Sequence, residues 1–306
     1  MRDGIIIRKY ENCIICPRRC GADRTKGPNG ACHAGSEPVV NLAMLHHGEE
    51  PPISGTKGSG TVFFEGCPLG CIFCQNYDIS RGITGAGKTY DEDALAALYL
   101  DLQEKGAHNI NLVTAGHFIP SVAKSLRAAK ENGLTIPVAY NSGGYESIES
   151  LKLLDGLIDI YMPDMKFFSS SLSTELCRAP DYFKICCDAL NEMYRQTGPF
   201  VLDEDGIMQK GMIVRHLMLP GQLFDTKKVI DYLTKTFGNN IYISLMNQYT
   251  PFDYKYKDMK LPAFLQRKLP QGHYDTAADY LILQGQTNAF IQDDASGDEL
   301  LPDFNS

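Results

Sequence analysis

The sequence predicts an α/β fold, a partial (β/α)6 barrel preceded by a small cysteine-rich module, and three observations carry that prediction. Short β-branched and aromatic runs alternate with longer amphipathic stretches, the signature of βα units on a parallel sheet. The alternation repeats six times, too few to close an eight-fold barrel. The first fifty residues do not share the alternation and hold four cysteines among dense Gly and Pro.

The first strand is TVFFEG (61–66), reached through the loop PPISGTKGSG (51–60). A helix over 91–105 follows, with Leu95, Leu98 and Leu102 on one face and Asp91, Glu92 and Asp93 in its first turn, where the helix dipole favours acids. Next come strand NINLVT (109–114), helix 120–132 stopped by Gly133, strand IPVAYN (136–141), helix 146–154 and strand LIDIYMP (157–163). A helical region at 181–196, strand GMIVRHLML (211–219), helix 225–237 and strand IYISLMN (241–247) complete the series. Residues 199–210 read as a hairpin-like excursion turning at Asp205-Gly206. The expected organisation is a metal-binding module at 1–50, the partial barrel at 51–258, and C-terminal helices with an acidic tail at 259–306.

At 306 residues, 43% hydrophobic and 22% charged, the chain can bury a large core and is not a disordered protein. A formal charge of -8 argues against a nucleic-acid binder, which needs basic surface to replace counterions. The charge is uneven. Residues 1–35 carry seven Lys and Arg against three acids, whereas the tail holds Asp293, Asp294, Asp298, Glu299 and Asp303, a solvated acidic segment or a docking tail. The N-terminus lacks the apolar core of a signal peptide and no run approaches a bilayer span, so a cytoplasmic protein without membrane contact is expected. Ten cysteines at clustered spacings then read as reduced metal-binding thiols rather than disulfides.

Cys67, Cys71 and Cys74 stand in GCPLGCIFCQNY, and their spacing suits a 4Fe-4S cluster with one iron that no cysteine here holds. That iron leaves a position for a small molecule. The competing reading is a zinc knuckle short of one ligand, or plain buried thiols. Upstream, Cys13, Cys16, Cys20 and Cys32 form a second set, with Pro17, Gly21, Gly27 and Gly30 permitting tight turns. Four thiolates suit tetrahedral zinc or an auxiliary iron-sulfur cluster, and either would stabilise a module with little core. His33 is an alternative ligand there. Cys177, Cys186 and Cys187 lack metal spacing and read as buried or loop thiols.

In βα architectures catalytic groups gather on loops after the strands' C-terminal ends. Gly116 and His117 follow the second strand, Asn141 and Ser142 the third, Asp164 and Lys166 the fourth, and Arg215 and His216 lie on the fifth. Asp164 and Lys166 could meet an ammonium and a carboxylate respectively; otherwise they are a surface ion pair. His216 could instead be a satisfied core histidine, and Asn141 and Ser142 could cap the next helix. The string Gly82 to Thr89 matches a P-loop by letter, yet it follows the cysteine loop and precedes Asp91, Glu92 and Asp93, so nucleotide binding is not expected.

With Phe73 before the third cysteine, the chain resembles the radical S-adenosylmethionine superfamily. It is most similar to the activating enzymes of glycyl-radical enzymes and to their PflX-type, pyruvate formate-lyase-activating-like relatives. The resemblance runs through CIICPRRCG, FFEGCPLGCIFCQNYDIS, HNINLVT, YNSGGYES, MPDMKF, VRHLMLPG and SLMNQYTP. It implies an oxidoreductase in which S-adenosylmethionine, bound at the open iron, is reductively cleaved to a 5'-deoxyadenosyl radical that takes hydrogen from a substrate. It further implies Cys67, Cys71 and Cys74 as the cluster ligands and Phe73, Gly116, Asn141, Ser142, Asp164, Lys166 and His216 as contacts of S-adenosylmethionine. The Gly-Gly-Glu stretch of many relatives is here TAGHF, so Gly116 keeps its place and the Glu is absent. Reduced flavodoxin or ferredoxin is the implied electron donor, and the implied substrate is a glycine of a partner enzyme, with a small molecule or a peptide as the alternatives. A non-catalytic iron-sulfur or zinc protein, with both cysteine sets closed, is the competing class.

Overall fold

Runs rich in Val, Ile, Phe and Tyr build an open ten-stranded sheet in the computed structural model, which describes residues 9–251 and 261–292. The strands are β1 (Val39–His46), β2 (Ser59–Phe64), β3 (Lys88–Thr89), β4 (Ile110–Val113), β5 (Val138–Ser142), β6 (Ile160–Pro163), β7 (Val201–Leu202), β8 (Met208–Leu217), β9 (Tyr242–Met246) and β10 (Ala289–Ile291). Their order is β10-β9-β8-β6-β5-β4-β2-β1-β3, with β7 hairpinned onto β8. Every neighbour from β2 to β10 runs parallel, while β1 pairs antiparallel with β2 and β3. The architecture is therefore α/β and mostly parallel.

The expected six strands all form, and β1 and β10 join them. β1 lies inside the segment read as a separate module yet pairs with β2 from Val40↔Phe64 to His46↔Ser59. Its hydrophobic residues alternate poorly, and six of its eight positions after Val40 are only partly buried, so no clean pattern marks it. β10 has three residues and is recruited by pairing Ala289↔Ile243 with β9, a contact no local signal predicts. The acidic tail lies outside the described residues.

Helices cover the sheet where their apolar spacing demands it. Helix Glu92–Glu104 starts at Asp91, whose carboxylate accepts the Ala94 N–H at 2.8 Å, and it buries Leu95, Tyr99 and Leu102. Burying Leu95 and Leu102 contributes about 1.5–3 kcal/mol each. Helices Ile119–Glu131, Tyr182–Thr197 and Leu223–Phe237 repeat the arrangement. Helix Ser170–Cys177 was not anticipated, because its serine-rich sequence carries little apolar period.

Strand alternation divides the interior in two. Val138, Tyr140, Tyr161, Met212 and Val214 face the main helix-covered core. Ala139, Ile160, Met162 and Ile213 face a smaller core with Ile53 and Met208. Residues two places further along β5 and β8 on that second face are Asn141 and Arg215, which open the functional site. Among the described residues no helix is long and apolar enough to cross a membrane.

Candidate functional site

The C-terminal ends of the parallel strands and the end of β1 frame a cavity of about 380 Å³, lined among others by Cys67, Cys71, Cys74, Asn141, Asp164 and Lys166. Its volume falls within the range of small-molecule sites.

The cysteine loop leaves β2 through Gly66, whose φ of +85° belongs to glycine and where a Cβ would come 2.5 Å from the Cys32 carbonyl oxygen. Cys67 N–H donates to that carbonyl at 3.1 Å, and Ile72 N–H donates to the Leu176 carbonyl at 3.0 Å. Cys71 is buried, while Cys67 and Cys74 are partly exposed toward the cavity. Burial pushes the Cys67 thiol up to about 12 and the Cys74 thiol up to about 11. Cys71 is raised further, first by a thiol contact with Cys177 at 3.2 Å and then by burial. Against this, the Lys166 ammonium favours the thiolates of Cys71 and Cys74. Three soft donors thus stand on one cavity wall beside a fixed cation.

A buried charge network forms the floor. Asp164 accepts from Lys166 Nζ at 2.5 Å and from Arg215 Nε at 3.0 Å. Arg215 also donates to Asn141 Oδ1 at 2.5 Å and to Glu49 Oε2 at 3.3 Å. Burial works against the Asp164 charge, but Lys166 and Arg215 outweigh it and hold the carboxyl below its usual range. With side-chain exposures of 13%, 17% and 16%, Asp164, Lys166 and Arg215 are not the weak surface pair that competed for this reading. Tyr182 braces the loop: its hydroxyl accepts Lys166 N–H at 2.8 Å and lies 2.9 Å from the carbonyls of Gly143 and Asp164. Gly144, with φ +73°, passes so close that a Cβ would sit 2.2 Å from the Asp164 carbonyl oxygen.

Of the residues singled out from sequence, Phe73, Asn141, Ser142, Asp164 and Lys166 line the cavity with the three cysteines. Ser142 Oγ accepts Gly144 N–H at 3.2 Å, a turn contact and not a helix cap, and the following helix is capped by Ser147. His216 and Gly116 do not line it. His216 sits one residue off the Arg215 parity, on the helix-covered face, with Nδ1 2.7 Å from the Met165 carbonyl and Nε2 3.0 Å from Thr226 Oγ1. It is a satisfied core histidine. Gly116 packs under Glu146, a buried carboxyl pushed up to about 8 by desolvation.

Glu49, Glu50 and Cys177 were missed. Glu49 also accepts from Asn111 Nδ2 at 2.9 Å, and one Glu50 carboxylate oxygen is buried without a partner. No spacing pattern connects residues 49 and 215; only the sheet does. Lys88 and Thr89 of the P-loop-like string form the edge strand β3 and open no helix.

In the N-terminal segment Cys13, Cys16 and Cys32 are buried and Cys20 is exposed. Burial pushes the Cys16 thiol up to about 12. Arg24, 1% exposed, lies 3.7 Å from the Cys13 sulfur and donates to the His117 carbonyl at 2.7 Å. Among the described residues no three His, Cys, Asp or Glu side chains are arranged to hold one metal ion. This is true of both cysteine sets as placed.

No protein-family model matches the chain. Over 255 residues it is 30% identical to the uncharacterized protein MJ0674 of Methanocaldococcus jannaschii, spanning 81% of this chain and 69% of that protein. The chain belongs to that protein's family.

Proposed function

We propose that the chain is a radical S-adenosylmethionine enzyme, similar to the activating enzymes of glycyl-radical enzymes, working at the cavity of Cys67, Cys71 and Cys74. One observation carries this reading: the three thiols share a single cavity with Asp164, Lys166, Asn141 and Ser142. In the same reading β2, β4, β5, β6, β8 and β9 are the strands of a partial (β/α)6 barrel. A 4Fe-4S cluster held by the three thiolates would supply an iron with a free position and the electron that cleaves S-adenosylmethionine to a 5'-deoxyadenosyl radical. Reduced flavodoxin or ferredoxin is the donor class, and the substrate is a hydrogen donor such as a glycine of a partner enzyme.

The chain's own residues bind and orient. Lys166 and Asp164 face the cavity as a cation and an anion, suited to the carboxylate and ammonium of an amino acid. Arg215, tied to Asp164, Asn141 and Glu49, keeps Asp164 ionised and immobile, so a ligand meets a preset floor. Phe73 stands edge-on to Phe167 at 5.8 Å and closes the apolar wall behind the cysteines.

The test is anaerobic reconstitution with iron and sulfide, reduction with dithionite, and measurement of 5'-deoxyadenosine from S-adenosylmethionine. A loaded cluster that forms none overturns the reading. S-adenosylmethionine that leaves the reduced cluster's paramagnetic signal unchanged would favour a closed electron-transfer site instead.

A further inference from the structure

The N-terminal cysteines have no part in the cavity, yet the segment that bears them touches the cysteine loop directly. Cys16, Pro17, Arg18, Arg19 and Cys20 form a tight turn closed by Arg19 N–H to the Cys16 carbonyl at 3.0 Å, with Arg19 in left-handed backbone at φ +42°. Arg18 stands at its apex. Its guanidinium donates to the carbonyls of Pro68 at 2.8 Å and Leu69 at 3.1 Å, both inside the cysteine loop. It also donates to the Cys177 carbonyl at 2.6 Å and to the Arg178 carbonyl. The planar five-donor fork of an arginine can serve several carbonyls at once, which a lysine ammonium cannot do from one position. Cys67 N–H, bonded to the Cys32 carbonyl, adds a second tie between the same two segments.

We infer that Arg18 is a positioning residue, and that the N-terminal cysteine module acts through it as a clamp on the Cys67 to Cys74 loop. The loop has poor means of its own for holding shape: it contains Gly70 in left-handed backbone at φ +60°, and helix Tyr77–Ser80 after it is four residues long. Its carbonyls at 68 and 69 belong to Arg18, and the next, at Gly70, to Arg81 at 2.8 Å. The contact with Cys177 fixes the loop against the end of helix Ser170–Cys177, the same helix whose last thiol meets Cys71. Thus the turn bracketed by Cys16 and Cys20 sets where three cavity thiols stand. Any event that loosens that turn loosens the loop.

This inference rests on the proposed function only in naming the loop that matters. The experiment measures alkylation rates of individual cysteines by peptide mass mapping, on the full chain purified anaerobically, with the buried Cys186 as internal control. Arg18→Met should speed alkylation of Cys67, Cys71 and Cys74 at least about tenfold, since charge-assisted hydrogen bonds are lost, while Cys186 stays slow. Arg18→Lys should fall between, and it serves as the deciding variant should Arg18→Met not fold. Arg19→Pro, which removes the N–H that closes the turn and leaves Arg18 in place, should also speed the loop. Rates within twofold of the parent in both Arg18 variants overturn the clamp, and a fast Arg18→Met beside a parent-like Arg19→Pro overturns the module's part in it. The readout does not involve turnover, so a chain that makes no 5'-deoxyadenosine can still show the clamp, and the reverse.

Discussion

The chain sets cysteines in two places, and their surroundings differ more than their spacings do. At the sheet end Cys67, Cys71 and Cys74 share a cavity of about 380 Å³ with a buried cation and anion. In the N-terminal segment Cys13, Cys16 and Cys32 are shut away from solvent, and Cys13 lies against Arg24, whose guanidinium is spent on the carbonyls of Ala34, Gly35 and His117. One set faces space for a ligand, the other is buried away from it. A thiol that opens on a cavity can exchange partners there, whereas one packed under carbonyls mainly holds shape.

Mutations should separate the two settings. Cys71→Ala should reduce 5'-deoxyadenosine formation to the level of cluster-free protein, whereas Cys13→Ser, in the buried set against Arg24, should lower it without abolishing it; equal loss in both would erase the distinction. Asp164→Asn should cost about 3–5 kcal/mol in urea denaturation, because Lys166 and Arg215 would be left as buried cations with their shared anion gone.

Glu146 is a buried carboxyl beside Gly116. Its folded value of about 8 exceeds the ordinary 4.5, so the folded chain holds a proton that the unfolded chain releases. Stability from this group is complete below about pH 4.5 and is lost as pH rises toward 8, with a slope of at most about 1.4 kcal/mol per pH unit. Urea midpoints at several pH values in that window should fall for the parent and flatten for Glu146→Gln. The smallest effect belongs to the surface of the module: Lys26, 78% exposed, pairs with Asp23, and Lys26→Ala should leave the melting temperature unchanged. A clear drop would show that the module depends on its surface charges and not on its buried thiols.

Much of this was legible in the chain. The parallel strands follow from β-rich runs a helix apart, and the hairpin of β7 and β8 from Asp205-Gly206. Asn141, Ser142, Asp164 and Lys166 were placed together because strand ends converge on one face, a rule that needs no coordinates. The same rule misplaced His216, since it assigns a residue to a strand end without saying which face it takes. β1 was lost because its burial does not alternate, and β10 because three residues give no period.

By itself, then, the sequence determined the α/β alternation, the two cysteine sets and the loops around the cavity. These depend on neighbours a few residues apart, where period and spacing speak. Tertiary structure alone decided that Arg215 joins Asp164 to Glu49, that Cys177 meets Cys71, and that Arg18 grips the cysteine loop. Each joins residues some 50 to 166 positions apart, where a contact is set by sheet order and strand parity, which local sequence pattern does not encode.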